Sequence, residues 1–114
     1  MRKTLEITEG QSISFEFNFG ALEIYKAQFG KDLFSDIGKL EKMQKSKSIG
    51  LENLSELLIL MLNICWTFAK NADNSIPEPF EWEKQFEILP VKSILAEILP
   101  LWTKSLAGTV SLKN

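Results

Sequence analysis

The sequence predicts an α+β fold in which an N-terminal β-hairpin packs on a mainly helical body with a central leucine-rich helix. Three observations support this prediction. Apolar and polar residues alternate over residues 4–17, the apolar spacing becomes helical from residue 21, and residues 51–70 carry the strongest apolar helical pattern. The chain has 114 residues, which is enough for one domain with a sizeable core and too few for two ordinary domains.

The predicted hairpin spans residues 4–17. Leu5 and Ile7 precede a turn at Gly10, and apolar residues then recur at every second position, namely Ile13, Phe15 and Phe17. Such alternation is typical of strands with one buried face. A glycine suits the turn because only glycine takes positive φ without steric cost.

The first helix is predicted to follow the hairpin directly. Its apolar residues fall at i, i+1, i+4 and i+8 and therefore share one helical face: Ala21, Leu22, Tyr25 and Phe29. Asn18 suits the N-cap because its side chain can accept a hydrogen bond from a free backbone amide. Gly30 suits the position after the last helical turn, where a left-handed conformation is common.

Residues 31–38 are predicted to form a short helical turn or loop that docks Leu33, Phe34 and Ile37. Residues 39–48 are rich in lysine and serine, with lysines at Lys39, Lys42, Lys45 and Lys47, so we expect the later part of this stretch to be an exposed connector. Lys42, Lys45 and Lys47 are expected on a mobile loop. A basic loop could contact nucleic acid. A solvated loop is favoured because the segment has no arginine and no interleaved aromatic residue.

The central helix is predicted over residues 51–70, and it is apolar nearly all round after Ser55. It must therefore be covered on several sides by the hairpin, by flanking helices or by another chain. A membrane span is the alternative, but the apolar stretch of residues 57–69 is interrupted by Asn63 and Thr67 and is shorter than the roughly 20 residues that a bilayer requires. A core helix is the prediction. Cys65 lies within it and is expected to be a buried, inert thiol.

Residues 71–79 are predicted to form a loop, with Pro79 in the first turn of a short helix that follows. Glu83 and Glu87 share a face of this helix, but no aspartate or histidine joins them, so no acid–base or metal role is predicted. The apolar anchors of this helix are Phe80, Trp82 and Phe86.

A further helix is predicted to open at Pro90. Pro100 is expected to kink or split it, because proline lacks the amide hydrogen that a helix interior uses. Gly108 is expected to end regular structure. The predicted organisation is therefore a single α+β domain of residues 1–108 and a flexible tail of residues 109–114.

Composition limits the possible functions. The net charge is −2 and the pI is about 5.2, so no global field attracts the chain to nucleic acid or to an anionic membrane. The chain has no histidine, one cysteine and no glycine-rich phosphate loop. We therefore predict an intracellular protein that is not an enzyme and has no catalytic residue, cofactor site or metal site. Its N-terminus has no apolar core typical of a signal peptide.

Large apolar residues are abundant in the second half of the chain. We hypothesise that Ile98, Leu101 and Trp102, beside the expected kink at Pro100, form an exposed groove or self-association surface that accepts apolar helices of a partner. The alternative is that these residues close one hydrophobic core.

Taken in order, these segments resemble a known family. They are a hairpin that ends in Phe-Asn-Phe-Gly (residues 17–20), a helix with Tyr25, a lysine-rich connector, a leucine-rich central helix, and a C-terminal helical part bounded by proline and glutamate. This order resembles the tail assembly chaperones of long-tailed, siphovirus-type phages and prophages of Gram-positive bacteria.

The resemblance implies a function and partners. Such a chaperone binds the helical tape-measure protein, keeps it soluble and assists polymerisation of the tail tube around it. It implies a protein of the bacterial host cytoplasm that is absent from the mature virion. The implied partner is the tape-measure protein, and the tail-tube protein and a second copy of the chain are further candidates, without cofactor, nucleic acid or membrane. The alternative is a small phage-encoded nucleic-acid-binding regulator that uses the basic residues 39–47.

Overall fold

In the computed structural model, a two-stranded antiparallel hairpin lies against a helical body built around one central helix. The structure describes residues 1–8, 10–45 and 50–110, with side chains to residue 106. In chain order the described elements are β1 (Arg2–Thr8), β2 (Gln11–Glu16), α1 (Phe19–Phe29), α2 (Leu33–Lys45), α3 (Leu51–Ala72), α4 (Pro79–Glu83) and α5 (Val91–Val110). The predicted α+β fold is confirmed.

The hairpin buries one face, as its alternating pattern predicts. Leu5 pairs with Ile13 across the two strands, and Gly10 takes a φ of 80° at the turn. Phe15 and Phe17 are fully buried, and β2 packs against α3. A two-stranded hairpin is marginal alone in water, so burial of these aromatic side chains against the helical body stabilises it.

Both predicted ends of α1 are confirmed. The Asn18 side chain accepts a hydrogen bond of 2.9 Å from the Gly20 amide, and Gly30 takes a left-handed φ of 68°. Asn71, near the end of α3, donates hydrogen bonds to the Glu16 carbonyl at 3.0 Å and to Asn18 Oδ1 at 2.9 Å. The Asn71 amide thus joins the hairpin, the start of α1 and the end of α3.

The prediction that Lys42 and Lys45 lie on a loop is wrong, because α2 is one continuous helix from Leu33 to Lys45. Asp32 begins it by accepting hydrogen bonds from the Ser35 amide at 2.9 Å and the Ser35 hydroxyl at 3.1 Å. Leu33 and Leu40, seven residues apart, are both fully buried, and tertiary packing of this stripe outweighs the polar composition around it. Lys39 and Lys42 are therefore helical like Lys45, and Lys47 lies outside the described residues.

The central helix α3 contacts β2, α1, α2, α4 and α5. Most of its second half is buried, including Trp66 and Phe68. By length and composition α3 is the one candidate membrane span among the described residues, and half of its most apolar stretch is buried inside the protein. The predicted core role is confirmed for the second half of α3, whereas much of the first half is exposed.

Pro100 does not split α5, which continues to Val110. Pro100 cannot donate to the carbonyl of Ala96, but both residues are exposed, so water can satisfy that carbonyl. Nor does Gly108 end regular structure, since the helix includes residues 108–110. The predicted end of regular structure at Gly108 is therefore wrong, and residues 111–114 of the predicted tail lie outside the described part of the chain.

Candidate functional site

The residues predicted to bind a partner are mostly core residues. Ile98 is 0% exposed, Trp102 is 3% exposed, and Leu101 is half-buried. The Trp102 ring lies 5.2 Å from that of Phe68 and 5.7 Å from that of Phe34, measured between centroids. The expectation of an exposed groove at these three residues is therefore corrected, and the alternative that they close the hydrophobic core describes Ile98 and Trp102.

Helical spacing explains this burial. Ile94, Ile98 and Trp102 are four residues apart, so they share one face of α5, and all three are buried. α3 and α5 are in contact, and Trp102 on this face packs against Phe68 of α3. Because the hairpin supplies only two strands, the core needs the apolar face of α5 to cover α3. The sequence does show that large apolar residues are abundant in the second half of the chain. It does not show that those on α5 are needed to complete the core.

An apolar groove lies elsewhere, between the first half of α3 and the segment from α4 to the start of α5. It has a volume of about 250 Å³. Leu62 is buried at its floor, while Leu58 and Phe80 are 48% and 56% exposed. The groove is lined by Leu58, Ile59, Leu62, Phe80, Glu83, Leu89 and Val91.

Exposed apolar side chains also lie on α3 on the N-terminal side of the groove. Leu51, Leu54 and Leu58 lie at i, i+3 and i+7 and so share one helical face, and each is exposed. Contiguous apolar surface of this kind marks an interaction site more often than scattered exposed residues do. One signal for the groove is present in the sequence: α3 is apolar nearly all round after Ser55. The sequence does not say which side lacks cover.

Glu83 is the one charged residue that lines the groove. Its side chain is half-buried, and no cation among the described residues lies within ion-pair distance of its carboxylate. The neighbouring acid Glu81 differs, since Lys84 Nζ lies 3.2 Å from its Oε2. Glu83 therefore places an unneutralised negative charge beside apolar side chains.

A second cleft, of about 370 Å³, lies between α1, α2 and α3 and has mixed polarity. Tyr25 donates a hydrogen bond of 2.6 Å to Asp36, and Lys39 forms an ion pair of 2.6 Å with Glu56. Burial, followed by the hydrogen bond and the charge of Asp36, raises the pKa of Tyr25 far above its usual value. Four polar side chains that line this cleft are thus paired with each other, Tyr25 with Asp36 and Lys39 with Glu56.

Cys65 is fully buried, and its thiol donates a hydrogen bond of 3.7 Å to the Val91 carbonyl. Burial raises the pKa of this thiol well above its usual range, so the thiolate needed for nucleophilic chemistry is disfavoured. The described residues contain no cluster of three or more histidine, cysteine, aspartate or glutamate side chains that could hold a metal ion.

Comparisons of the chain with protein-family models, with curated proteins and with solved structures find no match.

Proposed function

We propose that this chain is a tail assembly chaperone of a long-tailed phage or prophage of Gram-positive bacteria. It binds the helical tape-measure protein in the host cytoplasm, keeps it soluble and assists polymerisation of the tail tube around it. The order of segments that resembles this family supports the proposal. The chaperone is absent from the mature virion and uses no cofactor.

The observation that carries this proposal is the uncovered apolar face of α3 with its adjoining groove. A chaperone for a long helical client needs an apolar surface that a helix can occupy, and helix-in-groove binding uses side chains spaced at i, i+3, i+4 and i+7. Leu51, Leu54 and Leu58 have this spacing and are exposed. We therefore place client binding at this face and no longer at Ile98, Leu101 and Trp102.

The proposal is tested by co-expressing the chain with a tape-measure protein of a long-tailed phage of Gram-positive bacteria as the client. We expect the client to be soluble and to co-purify with the wild-type chain. In the Leu58→Glu variant, a carboxylate replaces an apolar contact on the binding face, so soluble client should fall at least about tenfold, which corresponds to about 1.4 kcal/mol of binding free energy. The melting temperature of each variant is recorded in parallel.

Phe19→Glu is the matched control. Phe19 is 64% exposed and is the first residue of α1, where a carboxylate is favoured by the helix dipole. It does not line the groove. This variant should keep the client soluble. A folded wild-type chain that neither solubilises nor co-purifies with the client would contradict the proposed function.

The proposal includes no nucleic-acid partner. Lys39 is paired with Glu56, which leaves Lys42 and Lys45 on the described part of α2 as the cations that a regulator would use. We expect no shift of duplex DNA or of RNA in a gel assay at low salt, where phosphate contacts are strongest. A salt-sensitive shift that is lost in a Lys42→Glu variant would instead support the nucleic-acid-binding alternative.

A further inference from the structure

We propose that the groove selects helices that carry a lysine or arginine beside their apolar stripe, because Glu83 meets that cation when the groove is filled. This inference rests on the proposed function and adds the chemistry of the preferred client segment. The occupant is a single amphipathic helix with a basic flank.

The shape of the groove favours one helix. Its floor and one wall come from α3 through Leu62 and Leu58, and its other wall comes from α4 through Phe80. Leu89 and Val91 complete the lining beyond α4. Side chains from successive turns of one helix can enter such a trough, with the apolar stripe inward and the polar flanks at the rim.

The charge of Glu83 supplies the selectivity. A bound helix removes water from the half-buried carboxylate, and desolvation of an unpaired charge is costly. A lysine or arginine on the occupant compensates for that cost by forming an ion pair, whereas a glutamate at the same place adds repulsion. Discrimination between partners commonly depends on such a repulsive element as well as on attraction.

Among the described residues, no lysine or arginine of the chain forms an ion pair with Glu83, so the compensating cation has to come from the bound helix. Lys84, the nearest lysine in sequence, is exposed and bound to Glu81. Glu87, the next acid along the chain, is exposed and does not line the groove. A helix bound in the groove would therefore cover the carboxylate of Glu83 and not that of Glu87. Glu87 thus provides a control of equal charge.

Three synthetic helical peptides of about 18 residues, or five turns, test the inference. They share one leucine stripe and differ only at the positions flanking that stripe, which are all lysine, all glutamine or all glutamate. Dissociation constants are measured by fluorescence anisotropy at low and high salt with the purified wild-type chain. We expect the lysine peptide to bind about tenfold more tightly than the glutamine peptide and the glutamate peptide to bind most weakly.

Variants assign the preference to one carboxylate. Glu83→Gln should bind the lysine and glutamine peptides equally, and Glu83→Lys should prefer the glutamate peptide. Glu87→Gln should retain the wild-type preference for lysine. Equal lysine preference in wild type and Glu83→Gln would overturn the inference, as would failure of the wild-type chain to bind any of the three peptides or formation of a dimer that fills the groove in light scattering.

These results are independent of the client experiment. If the full client co-purifies with the chain but Glu83→Gln does not change peptide preference, the chaperone function stands and the role of Glu83 is wrong. If the peptides obey the predicted charge rule but the client is never bound, the groove binds basic amphipathic helices and the chaperone proposal is wrong.

Discussion

The hydroxyl of Tyr25 on α1 donates a hydrogen bond of 2.6 Å to Oδ2 of Asp36 on α2. Tyr25 is buried and Asp36 is half-buried, so this contact links the two helices beside α3. The Asp36 carboxylate favours the protonated form of the phenol, and burial does so more strongly. Folding therefore retains the Tyr25 proton in a pH range where an exposed tyrosine loses it.

This retention predicts an alkaline loss of stability. Below a pH of about 10, Tyr25 is protonated in both the folded and the unfolded chain. Above that pH the unfolded chain releases the proton while the folded chain keeps it, so the free energy of unfolding falls by about 1.4 kcal/mol per pH unit from this group. Tyr25→Phe should lack this component. Urea unfolding followed from about pH 9 to pH 11.5 measures it, and equal slopes for the two proteins would contradict the assignment.

Gly20 in α1 and Gly38 in α2 should respond to alanine in opposite directions. A Cβ at Gly20 would overlap Asn71 Oδ1 and lie 2.9 Å from Asn18 Oδ1, whereas a Cβ at Gly38 meets no atom within 4 Å. Gly20→Ala should lower the free energy of unfolding by about 1–2 kcal/mol, because the hydrogen bonds of Asn71 are disturbed. Gly38→Ala should raise it by about 0.5–1 kcal/mol through helix propensity. Chemical denaturation measures both, and changes of the same sign would refute the explanation.

Trp102 should behave as a core residue in stability measurements. Trp102→Ala should lower the free energy of unfolding by about 3–5 kcal/mol, as large-to-small aromatic changes in cores do. Leu101→Ala, at a half-buried neighbour on the same helix, should cost less than half as much. If Trp102→Ala unfolds at the same denaturant concentration as wild type, the ring is not packed against Phe68 as the structure shows.

A lysine-specific protease should not cut early within α2. Cleavage requires an extended backbone, and Lys42 lies inside the helix Leu33–Lys45. Cutting after Lys42 should therefore depend on opening of α2 and accelerate in urea. Mass spectrometry of a digestion time course measures this rate, and rapid cleavage after Lys42 under native conditions would restore the interpretation of a mobile connector.

The sequence predicted correctly those elements that have clear capping residues or a clear alternation of apolar and polar residues. Asn18 and Gly30 bound α1 as predicted because capping depends on backbone geometry close to those residues. The alternation that ends at Phe17 gave the hairpin and its buried face. The α2 prediction failed because Leu33 and Leu40 become a stripe only when α3 is present to cover them.

The candidate binding surface depends on which apolar residues find a partner within the chain, and this property is not local. Ile98 and Leu58 are both large aliphatic residues on helices, yet one is fully buried and the other is 48% exposed. Their difference arises from the path of the whole chain, which brings α5 to one side of α3 and leaves another side open. Periodicity predicts that one face of a helix is apolar. It cannot specify which other element of the chain packs on that face.

The dependence of the hairpin on α3 also affects how the chain folds during synthesis. The hairpin is made first, but the α3 surface that covers Phe15 and Phe17 extends to Ala72, about 55 residues later. At typical elongation rates of about 5–20 residues per second, this gap lasts roughly 3–11 seconds. During that time Phe15 and Phe17 of the nascent hairpin have no α3 to pack against. The hairpin therefore reaches its native packing late in synthesis, although it is made first.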